Sequence, residues 1–161
     1  LDFISVMPTN LYGPGDNYDL ESSHVIPALL RKAVAARDAG DANMMVWGTG
    51  TPRREFMHVD DLADALVFVL KNYSQAAHIN VGSGSDVTIA ELAATVADVV
   101  GYKGGLAFDT SRPDGTPRKL MDGAKLAAMG WSPRIGLREG LADAYAHLQR
   151  DMAARSGAAR A

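Results

Sequence analysis

Short apolar runs alternate along this chain with longer segments in which apolar residues recur at helical spacing. Runs of apolar, β-branched or aromatic residues predict strands at residues 3–7, 44–48, 54–59, 78–81 and 106–108. Periodic apolar positions predict helices at residues 24–37, 60–70, 88–100, 122–129 and 137–152. Strands that alternate with helices favour an α/β fold, and 161 residues suffice for about one domain.

Polar residues that commonly cap helices stand before several of the predicted helices. Ser22 or Ser23 is placed to cap the first helix, and Asp60 is placed to cap the second. Thr88 and Glu91 have the spacing of a capping box at the start of the third. These positions predict where the helices begin.

Two internal segments and the end of the chain predict irregular structure. Residues 8–23 are dense in Pro, Gly, Asn, Asp and Ser and predict a long loop, and long loops in compact domains often bind ligands. Residues 111–119 are rich in Pro, Gly and basic residues and predict a second loop. Residues 153–161 carry no packing signal, so a disordered tail is expected. The run at 3–7 predicts a buried strand that starts abruptly, and we expect the chain to be a piece of a longer protein.

Composition excludes several classes of function. Without cysteine there is no disulfide framework, no cysteine-ligated zinc and no cysteine nucleophile in these residues, which suits a cytoplasmic protein. His78 and His147 have no partners at metal-ligand spacing, so no metal site is expected. Residues 112–161 carry nine Lys or Arg against five Asp or Glu, and this balance of +4 is too mild for a nucleic-acid surface. No apolar run is long enough to span a membrane. We expect neither nucleic acid nor membrane as a partner.

The chain lacks the glycine fingerprint of a dinucleotide-binding βαβ unit. Gly48-Thr49-Gly50 is followed by Arg53, and Gly82-Ser83-Gly84 by Val87, where a third glycine is required. None of the tyrosines has a lysine four residues later, so the Tyr/Lys pair of short-chain dehydrogenases is missing too. Taken alone, these residues are not expected to bind a dinucleotide in the usual way.

Four segments together resemble the C-terminal half of the GDP-L-fucose synthases, a family of extended short-chain dehydrogenases. The segments are M-P-T-N-L-Y-G-P at 7–14, H-V-I-P-A-L-L at 24–30, W-G through F-M-H-V-D-D at 47–61, and P-D-G-T-P-R-K-L at 113–120. The N-x-Y-G-P and H-V-D-D elements recur across nucleotide-sugar epimerases and dehydratases. S-H-V-I-P-A-L-L and P-D-G-T-P-R-K-L are more particular to the fucose synthases.

The resemblance implies an architecture and an activity. Residues 1–152 would form the last strands of a Rossmann sheet together with the smaller α/β substrate-binding domain, while the N-terminal Rossmann half would be absent from these 161 residues. The family uses NADP(H) to epimerise C3 and C5 of GDP-4-keto-6-deoxy-D-mannose and then to reduce its C4 ketone, which gives GDP-L-fucose. The complete enzyme is expected to be a homodimer that binds a GDP-sugar.

The resemblance also implies roles for individual residues. His24 matches the histidine that reprotonates the enediolate, and a helix start disfavours imidazolium; the alternative is a packing or capping histidine. The segment Pro8, Thr9, Asn10 and Leu11 would contact the nicotinamide end of the cofactor, with Asn10 close to the sugar. The alternative for Asn10 is an Asx-turn that leaves the strand.

Four further residues are candidates for binding the GDP-sugar. Arg54 matches a family arginine suited to diphosphate oxygens, or it is an exposed strand-edge arginine. Lys119 would bring a point charge to a phosphate or to the sugar, or it belongs to a solvated turn. Lys32 stands where the family tends to have arginine, which favours a surface role. Trp47 would stack on guanine or ribose, or it is a buried strand-end tryptophan.

Other functions remain open from sequence. One is a different nucleotide-sugar epimerase or dehydratase of the same superfamily, and another is a non-catalytic protein that keeps the nucleotide-sugar-binding fold. A third is a free-standing α/β regulatory domain.

Overall fold

The computed structural model describes the backbone of residues 3–158 and the side chains of residues 3–154. Its helices are α1 (Val25–Ala39), α2 (Val59–Asn72), α3 (Ile89–Val100), α4 (Ala124–Ala128) and α5 (Leu137–Ala158). Its strands are β1 (Val6–Pro8), β2 (Asn10–Tyr12), β3 (Asn43–Trp47), β4 (Arg53–His58), β5 (Ile79–Val81), β6 (Asp86–Thr88), β7 (Gly105–Asp109) and β8 (Arg118–Lys119). Within the described part, no helix combines the length and the apolar character needed to cross a membrane.

Strand β4 is the centre of the main sheet. It pairs with β2 and β8 in parallel and with β6 in antiparallel orientation. Two further parallel pairs, β1 with β5 and β3 with β7, form separate small sheets. Parallel strands joined through helices confirm the expected α/β class, and the pattern is that of a partial Rossmann-type fold.

The core divides into two clusters that meet at β4. Phe56 belongs to the cluster built by α1, α3, α5 and β3, whereas the next residue, Met57, belongs to the cluster around α2, β5 and α4. Successive side chains of a strand point to opposite faces, so β4 contributes to both clusters. The first cluster centres on Leu30, Leu92 and Leu141, which are fully buried. The apolar residues of α1, α3 and α5 pack here as their periodic pattern predicts, whereas Leu70, in the predicted helix at 60–70, is 71% exposed.

One of the three predicted helix caps is confirmed, and the other two are wrong. The Thr88–Glu91 capping box is present, with both reciprocal bonds formed. The expected Ser22 or Ser23 cap of α1 is wrong, because His24 occupies the cap position and makes no side-chain cap bond. One more residue of extended chain therefore separates the serines from the helix than the sequence suggested.

Asp60 does not cap α2 either. His58 occupies the cap position, and its Nδ1 accepts a hydrogen bond from the Asp60 backbone N–H. Asp60 thus lies inside the first turn, where a negative charge still favours the helix dipole. The neighbouring Asp61 is buried and accepts bonds from the backbone N–H groups of Arg134 and Ile135. Its role here is to hold the segment that precedes α5.

The first strand is less buried than its apolar sequence predicts. Phe3 is 85% exposed and Met7 is 52% exposed. The strand β1 pairs with β5, and no other described strand covers its second edge. The prediction of a buried strand at residues 3–7 is therefore wrong for the described part of the chain.

Three short strands lie in segments that the sequence predicts as loops or turns. These are β2, β6 and β8, each of two or three residues, and each pairs with β4. Such short strands carry no detectable alternation of apolar and polar residues, so their pairing with β4 decides their conformation. The predicted strands at 44–48 and 54–59 are both present, but β3 and β4 do not pair with each other.

The last helix is longer than predicted. It continues through Ala158, so the expected disordered tail at 153–161 is wrong for residues 153–158. Alanine has the highest helix propensity of all residues, and Ala153 and Ala154 continue a helix that is already packed. The remaining residues, 159–161, lie outside the described part.

Asp86 joins three strands through two ion pairs. Its carboxylate is 5% exposed and accepts Arg118 Nε at 2.5 Å and Arg53 Nε at 2.9 Å. These strands are β6, β8 and β4. The hydrogen bond from Arg118, followed by that from Arg53, lowers the pKa of the Asp86 carboxyl below its usual value.

We expect Asp86→Asn to lower the free energy of unfolding near neutral pH, because an amide does not replace a carboxylate between two guanidinium groups. A lowered native pKa contributes stability that is complete above the ordinary aspartate pKa of about 3.9 and is lost as the pH falls through the lower native value. The difference between wild type and variant should therefore shrink below about pH 4. Urea unfolding of the chain at several pH values measures it.

Asp98→Asn is the matched control, because Asp98 and its partner Arg138 are both about two-thirds exposed. Exposed pairs contribute little to stability. A loss of the same size and pH dependence in both variants would contradict the assignment.

Candidate functional site

A cavity of about 740 Å³ lies where β2, the following loop, the start of α1 and β4 meet. The loop residues 13–16 form one wall, and Val25, Ile26 and Pro27 of α1 form another. Five of the predicted site residues line this cavity: Thr9, Asn10, Leu11, His24 and Arg54.

His24 occupies the N-cap position of helix α1. Its backbone is extended, with φ −72° and ψ 172°, and its side chain makes no capping bond. The residue is exposed and lines the cavity. The ring is therefore positioned as a solvent-accessible group that can give and take a proton.

Asn10 is held across the sheet. Its Nδ2 donates to the Glu55 carbonyl oxygen at 2.8 Å, and Thr9 Oγ1 donates to the same oxygen at 3.2 Å. The alternative of an Asx-turn is wrong, because the amide binds a different strand instead of its own following backbone. Pro8 lies apart from the cavity: it is exposed at the end of β1 and pairs with Val81.

Arg54 links the cavity to the basic loop, the name we give to residues 111–119. Its Nη1 donates to the Arg53 carbonyl oxygen at 2.8 Å, and a Cβ on Gly115 of the basic loop would lie 2.9 Å from its Nη2. Lys119 is its register partner on β8, so both side chains leave the same face of the sheet. Arg53 points away and binds Asp86.

Trp47 and Lys32 lie outside the cavity lining, next to each other. The Trp47 side chain is 52% exposed, so the alternative of a buried tryptophan is wrong. Lys32 Nζ lies 4.4 Å and Arg112 Cζ 4.8 Å from the centre of its ring, both within cation–π distance. Burial, followed by the charge of Arg112, lowers the pKa of Lys32. Lys32 Nζ also donates to the Met45 carbonyl oxygen at 3.3 Å.

Asp114 connects this aromatic and cationic cluster to Arg54. Its carboxylate accepts the Thr49 hydroxyl at 2.7 Å and the Thr49 backbone N–H at 2.9 Å, and these bonds lower the pKa of Asp114. Gly48 has a φ of +81°, and a Cβ there would collide with Asp114. The basic loop is thus fixed to the turn that follows Trp47, and its next residue, Gly115, lies against Arg54.

Sequence reasoning missed Glu55, Arg112 and Asp114. Glu55 follows two arginines in the strand R-R-E-F-M-H, so its charge alone does not indicate that it is buried. Arg112 and Asp114 lie in the fully exposed basic loop, and no pattern in the sequence indicates their contacts. Tyr12 also lines the cavity; burial, then Asp61 and Glu139, raises its pKa, and its phenol donates to a carbonyl of α5.

The arrangement suits an anionic, polyhydroxylated ligand. His24 offers a proton donor and acceptor, Asn10 an amide, and Arg54 a fork of N–H donors beside the Lys119 strand. Among residues 3–154, no cluster of three or more His, Asp or Glu side chains is arranged to hold a metal ion.

Comparison with known proteins supports a family assignment. A family model described as the NAD dependent epimerase/dehydratase family matches residues 1–82. The chain is 58% identical over 144 residues to GDP-L-fucose synthase 1 of Arabidopsis thaliana, with 89% of this chain and 45% of the relative covered. It is 52% identical over 153 residues to the GDP-L-fucose synthase of Escherichia coli K12, with 89% and 48% covered.

A solved structure supports the same assignment. The GDP-L-fucose synthetase of Naegleria fowleri bound to NADP matches with a TM-score of 0.87 at 29% identity, over 93% of this chain and 47% of that chain. The chain thus spans less than half the length of each of these relatives. Since the family model matches residues 1–82 and the described fold agrees with that of the relatives, the chain belongs to the NAD dependent epimerase/dehydratase family.

Proposed function

We propose that this chain is the substrate-binding part of an NADPH-dependent GDP-4-keto-6-deoxy-D-mannose 3,5-epimerase/4-reductase and supplies its epimerisation acid. The observation that carries the proposal is one cavity lined by His24, Asn10 and Arg54, with Lys119 beside Arg54 in register. The identity of 52–58% to GDP-L-fucose synthases supports the choice of substrate.

His24 is the acid in this proposal. Removal of a proton next to the C4 ketone leaves an enediolate, and an imidazolium at the cavity wall forms the new C–H bond by donating its proton to that carbon. The step leaves a neutral imidazole at the start of α1. A histidine titrates near neutral pH, which suits a group that must give and regain a proton in each cycle.

The cations bind the two phosphates of the GDP-sugar in this proposal. Arg54 presents a planar fork of donors at the cavity, and Lys119 adds a point charge next to it. Trp47, half exposed between Lys32 and Arg112, offers a flat surface for guanine or ribose. Asn10 presents its amide oxygen to the sugar, because its amide N–H is bonded to Glu55.

NADP(H) is the cofactor of the proposed reaction and would supply the hydride that reduces C4. Thr9, Asn10 and Leu11 line the cavity and fit one end of such a cofactor, whereas Pro8 does not line it. The chain contains no glycine-rich phosphate loop, so these residues contact at most the nicotinamide end. A homodimeric state and a cytoplasmic location of the complete enzyme rest on the resemblance to the family.

A chimaera tests the function. In it, this chain replaces the matched segment of the Escherichia coli GDP-L-fucose synthase, to which it is 52% identical. We expect it to convert GDP-4-keto-6-deoxy-D-mannose to GDP-L-fucose and to incorporate solvent deuterium at C3 and C5. His24→Gln should slow that incorporation by about 100-fold or more, the usual contribution of general acid–base catalysis. Mass spectrometry of the product measures it.

His78→Gln is the matched control, because His78 is exposed outside the cavity lining and should leave the rate unchanged. Wild-type exchange in the His24 variant would contradict the role of that residue. Turnover of UDP- or dTDP-sugars by the chimaera in place of the GDP-sugar would favour a different epimerase or dehydratase.

We expect Arg54→Lys in the chimaera to raise the KM for the GDP-sugar about tenfold with a smaller change in kcat, because lysine loses the bidentate contact to a diphosphate. Steady-state kinetics at saturating NADPH measure both constants. Arg138→Lys on the exposed surface of α5 is the control. A raised KM for NADPH with an unchanged KM for the GDP-sugar would show that Arg54 contacts the cofactor.

The 161-residue chain expressed by itself should not bind NADPH in the micromolar range, because it carries no glycine-rich phosphate loop. Titration followed by nicotinamide fluorescence measures the affinity, and the chimaera is the positive control. Micromolar affinity of the chain alone would show that its own residues hold the cofactor phosphates.

A further inference from the structure

Glu55 is a buried carboxylate in the middle of β4. Its neighbours Arg54 and Phe56 line the cavity, whereas the Glu55 side chain is 0% exposed. Burial of a carboxylate costs several kcal/mol unless its oxygens are hydrogen-bonded, so the partners of Glu55 need an explanation.

Both carboxylate oxygens accept hydrogen bonds from loops. Oε1 accepts the Gly84 backbone N–H at 2.8 Å and, more weakly, the Ser83 hydroxyl at 3.4 Å. Oε2 accepts the Met121 backbone N–H at 3.0 Å. The side chain thus connects the turn after β5 with the segment after β8.

The Met121 contact fixes one end of β8. Lys119 lies between two anchored residues. Met121, two residues later, donates its backbone N–H to Glu55, and Arg118, one residue earlier, donates its Nε to Asp86. A two-residue strand has little stability of its own, so these two anchors determine where Lys119 stands beside Arg54.

The backbone of the same residue fixes the other side of the cavity. The Glu55 carbonyl oxygen accepts both Asn10 Nδ2 and Thr9 Oγ1. One residue therefore joins the strand that carries Asn10 to the strand that carries Lys119.

We propose that Glu55 is a positioning residue, which holds Lys119 through Met121 at the distance from the cavity at which it binds the substrate diphosphate. This inference rests on the proposed function for the identity of the ligand. The inference concerns only the Glu55 carboxylate, because the backbone carbonyl of residue 55 keeps its hydrogen bonds to Asn10 and Thr9 when the side chain is changed.

A carboxylate is required because both oxygens face N–H donors. Glutamine keeps the shape but turns one acceptor into a donor, which opposes the N–H of Gly84 or of Met121. The space is also tight: a Cβ on Gly82 would lie 2.6 Å from Oε1. Gly82→Ala therefore displaces the carboxylate without removing it.

A double-mutant cycle in the chimaera tests the proposal. We expect Glu55→Gln to raise the KM for the GDP-sugar about tenfold, as the loss of a contact to a charged group would, while the KM for NADPH is unchanged. In a Lys119→Ala background, the same substitution should have almost no further effect, because the residue it positions is gone. A general loss of structure would instead act equally in both backgrounds.

Asp98→Asn, at an exposed position of α3, is the matched control for the loss of a carboxylate and should leave both KM values unchanged. Urea unfolding verifies that each variant is folded. If Glu55→Gln does not fold, Gly82→Ala replaces it in the double-mutant cycle with Lys119→Ala. We expect the same non-additive effect on the KM for the GDP-sugar.

Additive effects of Glu55 and Lys119, or an unchanged KM in the Glu55 variant, would overturn the proposal. If the wild-type chimaera does not turn over the GDP-sugar, the proposed function fails. The affinity of the same four proteins of the cycle for GDP is then measured by titration calorimetry. A tenfold loss of GDP affinity that depends on Lys119 would then support the positioning role, and a loss independent of Lys119 would overturn it.

Discussion

The pairing of three strands with β4 is the constraint on which the candidate site depends. The strand delivers Arg54 and Phe56 to the cavity, Met57 to the second core cluster, and Glu55 to a fully buried position. Because its neighbours β2 and β8 are too short to be stable alone, they take their positions from β4. Asn10 and Lys119, which come from distant parts of the chain, are thereby brought to one strand.

The cations of the site differ in their internal partners, and Arg112 pairs with Asp109, whose carboxylate lies 3.9 Å from its Nε. Arg53 and Arg118 both form ion pairs with Asp86, and these pairs hold β4, β6 and β8 together. Arg54 instead donates to a carbonyl oxygen, and Lys32 and Arg112 stand over the Trp47 ring. A guanidinium bonded only to a neutral acceptor keeps its full charge for an anion, which favours the binding of a diphosphate. Burial and the charge of Arg112 lower the pKa of Lys32, whereas the charge of Asp109 opposes that shift.

Much of the fold was predictable, because helices such as α3 combine a periodic apolar face with a capping box. The α/β class and the positions of all five described helices follow from such local signals. The missed elements, β2, β6 and β8, exist through pairing with β4, which is a long-range effect. For the site, the resemblance selected His24, Asn10 and Arg54, which share a cavity. It did not indicate Glu55, because its contacts come from loops that the sequence does not place.

The basic loop differs from the rest of the site in how it is held. Its residues are exposed, and three contacts along it, Asp114 on Thr49, Pro117 on the Arg53 backbone and Arg118 on Asp86, fix it. A loop that is already fixed costs a ligand less conformational entropy on binding. Gly115, between these contacts, offers no side chain where it lies against Arg54, so the guanidinium can approach the loop backbone closely. For the proposed function, a basic loop held against β4 keeps its cations beside the cavity while one sugar presents C3, C5 and then C4 to different groups.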